Sequence, residues 1–224
     1  MTSTKATPDV RRARSSTGRA SRQRHLAPAV IVAAAIAYAD AEGLESLTTR
    51  ALARRLGVEA MALYYYFKSK DALLDAMTEW LEDQARPHEL RGDWRFRLET
   101  IAAHQIAVAL AHPRLALLMA ARRGTTEAVF ANNEDVLSCL MEAGLDKYAR
   151  VAWLRTFAAL VNGLALYFAA TSATVINVRN VDAKRFPLIA EAVSNGKGLK
   201  PRASLKRGVA ALIEAIARES ARDG

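Results

Sequence analysis

The stretch LTTRALARRLGVEAMALYYYFKSK, residues 47–70, predicts two short helices joined by a tight turn. The first helix is expected over Thr49–Leu56, after a cap at Thr48. The second is expected over residues 60–67. Gly57 lies between them, where a residue without a side chain can take the left-handed conformation that ends a helix.

The apolar residues of this stretch recur at helical spacing, so each helix has one inward side. A small residue in the first helix, a glycine at the corner and apolar residues beyond it form the helix-turn-helix arrangement, whose second helix enters the DNA major groove. Any tight helical hairpin would need a glycine corner, but the outward side here carries many donors, as phosphate contacts require. The inward residues are Leu52, Ala53, Leu56, Val58, Leu63 and Phe67, and the outward donors are Arg50, Tyr64, Tyr65, Tyr66, Lys68 and Lys70.

Composition supports an all-helical protein built around this unit. The 224 residues suffice for one large or two modest domains, and 51% of them are hydrophobic. Ala, Leu and Arg are abundant, whereas Pro and Gly are scarce, which favours helices. The single cysteine, Cys139, excludes an intrachain disulfide and indicates a reducing compartment.

Charge is unevenly distributed along the chain. The formal net charge is +9, of which residues 1–26 contribute +6, residues 27–84 contribute −4 and the remainder contributes +7. Residues 1–26 lack apolar periodicity and are expected to be a disordered basic arm. This arm could contact DNA phosphates or the minor groove, with Arg22 and Arg24 among its contacts. A solvated tail without a role and an organelle transit peptide are the alternatives.

Further helices are predicted along the whole chain, with a polar break at residues 87–93. We therefore predict three regions: the arm (1–26), a helix-turn-helix domain with a linking helix (27–86), and a C-terminal effector-binding and dimerisation domain (87–224). Helices are expected over residues 29–41, 70–86, 94–111, 115–121, 125–143, 147–172, 186–193 and 203–222.

Residues 156–173 are the most apolar part of the chain, so a membrane span is one alternative for them. Asn162 would then lie in mid-span, and a DNA-binding unit precedes the segment. A buried helix, covered in part by a second subunit, is the preferred interpretation. Two helices with this much apolar surface indicate a symmetric dimer, although both could also be simple core.

The sequence does not indicate an enzyme or a metal site. His104 and His112 are eight residues apart, roughly 12 Å along one helix and too far to share a metal. Polar or aromatic residues on otherwise apolar helices are the candidates for ligand contact, although core packing explains Trp153 and Phe157 equally well. Asn162 could meet a ligand, a dimer partner or a backbone carbonyl. The candidates are His104, Gln105, Asn133, Trp153, Phe157 and Asn162.

Residues 43–77 resemble the tetracycline-repressor (TetR) family of bacterial regulators. The matching pattern is Leu-Thr-Thr-Arg, then Ala-x-x-x-Gly-Val, then Leu-Tyr-x-x-Phe-x-x-Lys-x-x-Leu. The resemblance implies a cytoplasmic, nucleoid-associated homodimer without a cofactor, which binds double-stranded DNA through three N-terminal helices. It also implies a C-terminal pocket for a small-molecule effector of unknown identity, whose binding moves the linking helix and releases the DNA.

The resemblance also implies roles for individual residues. The last two long helices, residues 147–172 and 203–222, would form a four-helix bundle with those of the partner. Leu164, Phe168, Leu212 and Ile216 are the expected interface residues. The DNA contacts would be Thr48, Thr49, Arg50, Ala60, Met61, Ala62, Tyr64, Tyr65, Tyr66 and Lys70.

The sequence departs from the tetracycline repressor at both sites. Ala60, Met61 and Ala62 can contact thymine methyl groups but cannot form bidentate hydrogen bonds with bases. Where the tetracycline repressor holds a drug–magnesium complex, this chain has Arg86, Ile101, Gln105 and Met119. No metal is therefore expected, and Met119 joins the ligand candidates.

The alternative to an effector-controlled repressor is a DNA-binding protein without an effector. A cavity of several hundred cubic ångströms in the C-terminal domain would favour the repressor.

Overall fold

The computed structural model describes residues 26–122, 126–173, 182–196 and 201–223. Within these ranges the chain forms helices and no strand, so the prediction of an all-helical fold is confirmed. The helices are α1 (Pro28–Glu42), α2 (Thr49–Leu56), α3 (Ala60–Tyr66), α4 (Lys70–Ala85), α5 (Trp94–Ala111), α6 (Ala116–Ala121), α7 (Glu127–Glu142), α8 (Lys147–Ala173), α9 (Pro187–Gly196) and α10 (Pro201–Asp223).

Local capping interactions fix most helix ends where they were predicted. The Ser69 hydroxyl accepts a hydrogen bond from the Ala72 amide at 3.0 Å and begins α4. Asp146 caps α8 by accepting bonds from the amides of Tyr148 and Ala149 at 2.7 and 2.9 Å. These two bonds lower the pKa of the Asp146 carboxyl group, because they favour its charged form.

Several predicted helix boundaries differ from the structure by one to three residues, and two of these differences have a local explanation. The cap of α7 is Thr126, whose hydroxyl accepts from the Val129 amide at 3.3 Å, and not Thr125, which lies outside the described residues. Adjacent threonines give the sequence no means of choosing between them. Helix α3 ends at Tyr66 because Phe67 takes an extended conformation, with φ −124° and ψ 108°.

The first core joins the helix-turn-helix unit to the C-terminal region. Helices α1 to α4 bury an apolar cluster, and α6 contributes Leu115, Leu118 and Met119 to the same cluster. Full burial of each large aliphatic side chain contributes about 1.5–3 kcal/mol. A displacement of α6 therefore disturbs the packing of the DNA-binding unit directly. The cluster includes Ile31, Ile36, Leu47, Leu52, Leu63, Met77 and Leu81.

The second core lies between α5, α7, α8 and α10. Helix α5 occupies its centre, since α4, α7, α8 and α10 all pack against it. The cluster includes Leu98, Ile101, Leu140, Phe157, Val161, Leu212, Ile213 and Ile216. The two cores meet along α5, which supplies residues of the second core, packs Val108 against the first core and contacts α4.

Candidate nucleic-acid interface and ligand site

The corner between α2 and α3 has the predicted geometry. The Thr48 hydroxyl accepts from the Ala51 amide at 3.1 Å and begins α2. Gly57 ends it with φ +71°, a conformation that strains any residue with a side chain. The Val58 amide then donates to the Ala53 carbonyl at 3.0 Å, which turns the chain into α3. The helix-turn-helix prediction is therefore confirmed in its residues and its turn.

Helix α3 presents an apolar and aromatic outer face. Met61 and Tyr65 are 73% and 76% exposed, one helical turn apart, and Tyr64 beside them is 42% exposed. The Lys68 ammonium lies 5.8 Å from the centre of the Tyr65 ring. Of the other predicted contacts, Thr48, Arg50 and Lys70 are exposed, whereas Thr49, Ala60 and Ala62 are half-buried.

Tyr66 does not point outward as predicted. Its ring is half-buried against the first core, and its hydroxyl donates a 2.6 Å hydrogen bond to the Leu26 carbonyl. Three consecutive residues of a helix point in three directions, so the three tyrosines cannot all face outward. The sequence does not show which of them turns inward. Arg22 and Arg24, the residues of the basic arm that were predicted to contact DNA, lie outside the described residues.

The predicted ligand residues do not converge on one site. His104 is exposed and Asn133 is half-buried. Phe157 lies wholly within the second core, and the Trp153 indole nitrogen donates to Glu219 at 3.0 Å. None of these four side chains lines either of the two cavities described below.

Gln105, Met119 and Asn162 do lie together, around a small void. The side chain of Gln105 is 7% exposed and has no hydrogen-bond partner within the described ranges. The free volume there is about 10 Å³, enough for about one water molecule and far too little for a drug-sized ligand. Four alanines also line this void: Ala109, Ala116, Ala120 and Ala165.

A larger cavity lies on another side of α5, between α5 and α10. Its volume is about 400 Å³, within the range of small-molecule sites. The lining is mainly apolar, with Glu99 and Lys206 as its charged members. None of the predicted ligand residues lines it, and Phe96, at its edge, is 59% exposed, which the sequence alone does not show. We call it the α5–α10 cavity; it is lined by Phe96, Glu99, Thr100, Ala102, Ala103, Ile106, Ala107, Leu110, Lys206 and Val209.

The turn after α5 contacts the DNA-binding unit. His112 Nδ1 lies 2.7 Å from the Asp40 carboxylate at the end of α1, and the His112 ring meets the Trp80 ring of α4 edge-on at 5.9 Å. Arg114 donates to the Ala41 carbonyl. Because Leu110 lines the α5–α10 cavity, a chain of direct contacts runs from this cavity to α1 and α4.

A second set of polar contacts ties the linking helix α4 to α7. Arg86 pairs with Asp135 at 2.7 Å, and this hydrogen bond with the carboxylate raises the Arg86 pKa. The buried Asn132 amide donates to the carbonyl and carboxylate of Glu82 at 3.2 and 3.3 Å. Asn132 is thus the buried amide of α7, whereas Asn133, the ligand candidate on the same helix, is half-buried; which of the two turns inward depends on the rotation of the helix.

The predicted dimer residues lie largely inside one protomer. Ile216 is 0% and Leu212 9% exposed, both in the second core, and Leu164 packs against the same core. Leu212 and Ile216 therefore have little surface left for a partner, contrary to the expectation, whereas Leu164 is half-buried; the side chain of Phe168 is not described. Helix α8 instead exposes a stripe at helical spacing, which we call the α8 stripe: Tyr148, Ala152, Arg155, Ala159, Gly163 and Tyr167.

Other chemistry is limited within the described ranges. No cluster of three potential metal ligands occurs there, and no helix there has the length and apolar character needed to cross a membrane. Burial raises the pKa of the Cys139 thiol, although Arg97 opposes this effect. A buried, protonated thiol is a poor nucleophile.

Family models cover most of the chain. Residues 31–77 match the model of "Bacterial regulatory proteins, tetR family", and residues 86–201 match "Tetracyclin repressor-like, C-terminal domain". The tetracycline repressor protein class A from transposon 1721 of Escherichia coli is 30% identical over 199 residues, covering 86% of this chain and 91% of that protein.

Two further comparisons add detail. The transcriptional repressor DrrR1 of Streptomyces coeruleorubidus is 36% identical over 117 residues, covering 51% of this chain but only 43% of that protein. The crystal structure of TetR-Q116A from Acinetobacter baumannii AYE in complex with minocycline is 28% identical, with a TM-score of 0.67, over 87% of this chain and 98% of that one.

Proposed function

Because this chain belongs to the TetR family of bacterial regulatory proteins, we propose that it is a dimeric transcriptional repressor released from DNA by a small-molecule effector. The family consists of transcriptional regulators rather than enzymes. The observation that carries the proposal is the exposed face of Met61, Tyr64 and Tyr65 on a helix that follows a glycine corner. We infer that this face enters the major groove while Arg50 and Lys70 flank it.

A second copy is needed for tight binding. The face of α3 has few hydrogen-bond donors for bases, and residues 27–84 carry a net charge of −4. Two such units on one duplex add their binding free energies, provided that they are held about one helical turn apart. We propose that the α8 stripe forms the interface. Its middle positions, Ala159 and Gly163, are small enough for close helix approach.

The effector enters the α5–α10 cavity in this proposal. Its volume of about 400 Å³ and its mainly apolar lining fit an apolar molecule with one or two polar groups at the level of Glu99 and Lys206. The void beside Gln105 has about 10 Å³ of free space, and a ligand there would first have to open it. Minocycline is bound by a related protein and not by this one. The effector of this chain is therefore to be identified by a screen.

Release follows from the contacts of the turn after α5. A ligand that moves the end of α5 moves His112 and Arg114, which contact α1. The ligand must bind the displaced state more tightly than the DNA-bound state, because only differential affinity shifts a population. A displaced turn changes the angle of α1 and hence the separation of the two recognition helices.

A displacement screen tests the proposal. The protein is bound to a fluorescent duplex carrying its selected site, and apolar compounds of drug size are added at equal concentration. We expect some compounds to lower the anisotropy and to raise the melting temperature of the free protein. Compounds that stabilise the protein but never release DNA would favour a DNA-binding protein without effector control.

A further inference from the structure

Two side chains of opposite charge line the α5–α10 cavity from different helices. Glu99 belongs to α5 and is half-buried, whereas Lys206 belongs to α10 and is exposed. They do not form an ion pair with each other, and neither forms a hydrogen bond or an ion pair with any other residue that the structure describes. The cavity therefore presents one negative and one positive group that both remain available to a bound molecule.

Neighbouring carboxylates of the C-terminal region do have partners in the protomer. Arg97, two positions before Glu99 on the same helix, pairs with Glu142 of α7. The Glu219 carboxylate of α10 accepts a hydrogen bond from the Trp153 indole of α8 at 3.0 Å. Both contacts join helices that enclose the second core. Glu99 makes no such contact and faces the cavity instead.

The rest of the lining offers little to compensate a charge. The Thr100 hydroxyl already donates to the Phe96 carbonyl at 2.8 Å. The remaining side chains are apolar, and three of them are small, which leaves the cavity its space: Ala102, Ala103, Ala107, Ile106, Leu110 and Val209.

An uncharged ligand in this cavity would cover the Glu99 carboxylate and remove water from it without replacing the lost hydrogen bonds, which costs free energy. A cationic group of the ligand would replace them with charge-assisted hydrogen bonds. The Lys206 ammonium lies at the end of a flexible stem, so it can reach an anionic group of the ligand from the rim. The two residues together thus favour a ligand with one group of each charge.

We propose that the effector is amphoteric: an apolar molecule with a cationic amine that pairs with Glu99 and an anionic group that pairs with Lys206. The inference rests on the effector site proposed above and adds the chemical class of the effector to it. Glu99 and Lys206 are then the residues that determine effector specificity, and neither belongs to the proposed DNA surface.

Four probes with the same apolar chain test this assignment: 10-aminodecanoic acid, decylamine, decanoic acid and decanol. Their affinities for the full-length protein are measured by titration calorimetry at neutral pH. We expect 10-aminodecanoic acid to bind about ten-fold more tightly than either singly charged probe, because a hydrogen-bonded charge pair in a partly open site contributes about one factor of ten. Decanol should bind most weakly.

Two single variants connect each charge of the probe to its residue. In Glu99→Gln, 10-aminodecanoic acid and decanoic acid should bind equally, because the amine has lost its partner. In Lys206→Gln, 10-aminodecanoic acid and decylamine should bind equally. The matched controls are Glu134→Gln on α7 and Arg207→Gln on α10, which are exposed and lie outside the cavity lining. They should leave all four affinities unchanged, and thermal melting should show that every variant is folded.

Equal affinities of the four probes for the wild-type protein would overturn the inference. A preference for the amine that survives Glu99→Gln would also overturn it, as would the failure of all four probes to bind. Binding with the expected preferences but without release of the selected duplex would support the amphoteric site and contradict the effector control that the proposed function requires.

Discussion

Arg50 stands out among the residues of the proposed DNA surface as an exposed cation at the beginning of α2. The outer face of α3 consists of Met61, Tyr64 and Tyr65, which offer methyl contacts and hydroxyl groups but no bidentate pair. Arginine is the side chain best suited to read guanine, through two parallel hydrogen bonds. We therefore expect base discrimination by this unit to depend strongly on Arg50.

We predict that Arg50→Ala relaxes sequence preference at one position of each half-site, by about 1–3 kcal/mol of discrimination. Affinities for the selected site and for its single-base variants measure the effect. Arg55→Ala is the control, because the Arg55 guanidinium lies over the Tyr38 ring of α1. A uniform loss of affinity across all sequences would show that Arg50 binds phosphate.

Residues whose role is local could be predicted from the sequence, whereas those with distant partners could not. Thr48, Gly57 and Asp146 act within three residues of their own position, so the sequence pattern was sufficient. Tyr66 bonds to a residue 40 positions away, and its inward direction depends on the packing of α1 against α3. The choice between Asn132 and Asn133 likewise depends on how α7 is rotated in the fold.

Helix α5 connects the proposed effector site to the DNA-binding unit. One of its sides lines the α5–α10 cavity, and its end carries His112 against Asp40. The sequence predicted the helix correctly, but it directed attention to Gln105 and Met119 rather than to this cavity. Cavities arise from what neighbouring helices fail to fill, and the pattern of a single helix does not contain that information.

We predict that Ala103→Trp prevents effector release without weakening DNA binding. The indole would occupy part of the α5–α10 cavity, and Ala103 is exposed, so the helix itself tolerates the change. Anisotropy of the DNA complex with and without an effector from the screen provides the measurement. Ser138→Trp, at an exposed position of α7, is the control. If Gln105→Leu abolished release while Ala103→Trp did not, the effector site would be beside Gln105.

Helix α8 is the second element with a testable role. A side chain at Gly163 would meet no atom within 4 Å in the protomer, so this position is open to a partner. We predict that Gly163→Arg yields a folded monomer, since the change adds helix propensity but blocks close approach of a second α8. Sedimentation gives the mass, and circular dichroism the helix content. Ser138→Arg should remain dimeric; a dimeric Gly163→Arg variant would exclude the α8 stripe as the interface.

At the scale of the whole molecule, the segments that carry positive charge differ from those whose packing connects the C-terminal region to the DNA-binding unit. Residues 1–26 carry a net charge of +6 and residues 85–224 carry +7, while the helix-turn-helix region between them, residues 27–84, carries −4. Helix α6 packs into the first core and also against α8, so the C-terminal region contacts the DNA-binding unit through packed side chains as well as through His112 and Arg114. Such contacts can transmit a displacement, because a close-packed interior does not deform freely.

The sequence was informative at this scale for the fold and its family, because helical periodicity and the motif of residues 43–77 are local signals. It was less informative about assembly. Leu212 and Ile216 were predicted to bind a partner, yet they fill the core of one protomer. An apolar stripe has the same appearance in the sequence whether it is covered by the same chain or by another.

Selection of bound duplexes from a random pool tests most directly that two copies of this protein read DNA together. The purified full-length protein is incubated with random duplexes, and retained molecules are amplified and sequenced over several rounds. We expect a palindromic site whose half-sites are centred about one helical turn, roughly 10 base pairs, apart. Enrichment of single, unpaired half-sites, or of no sequence at all, would contradict it.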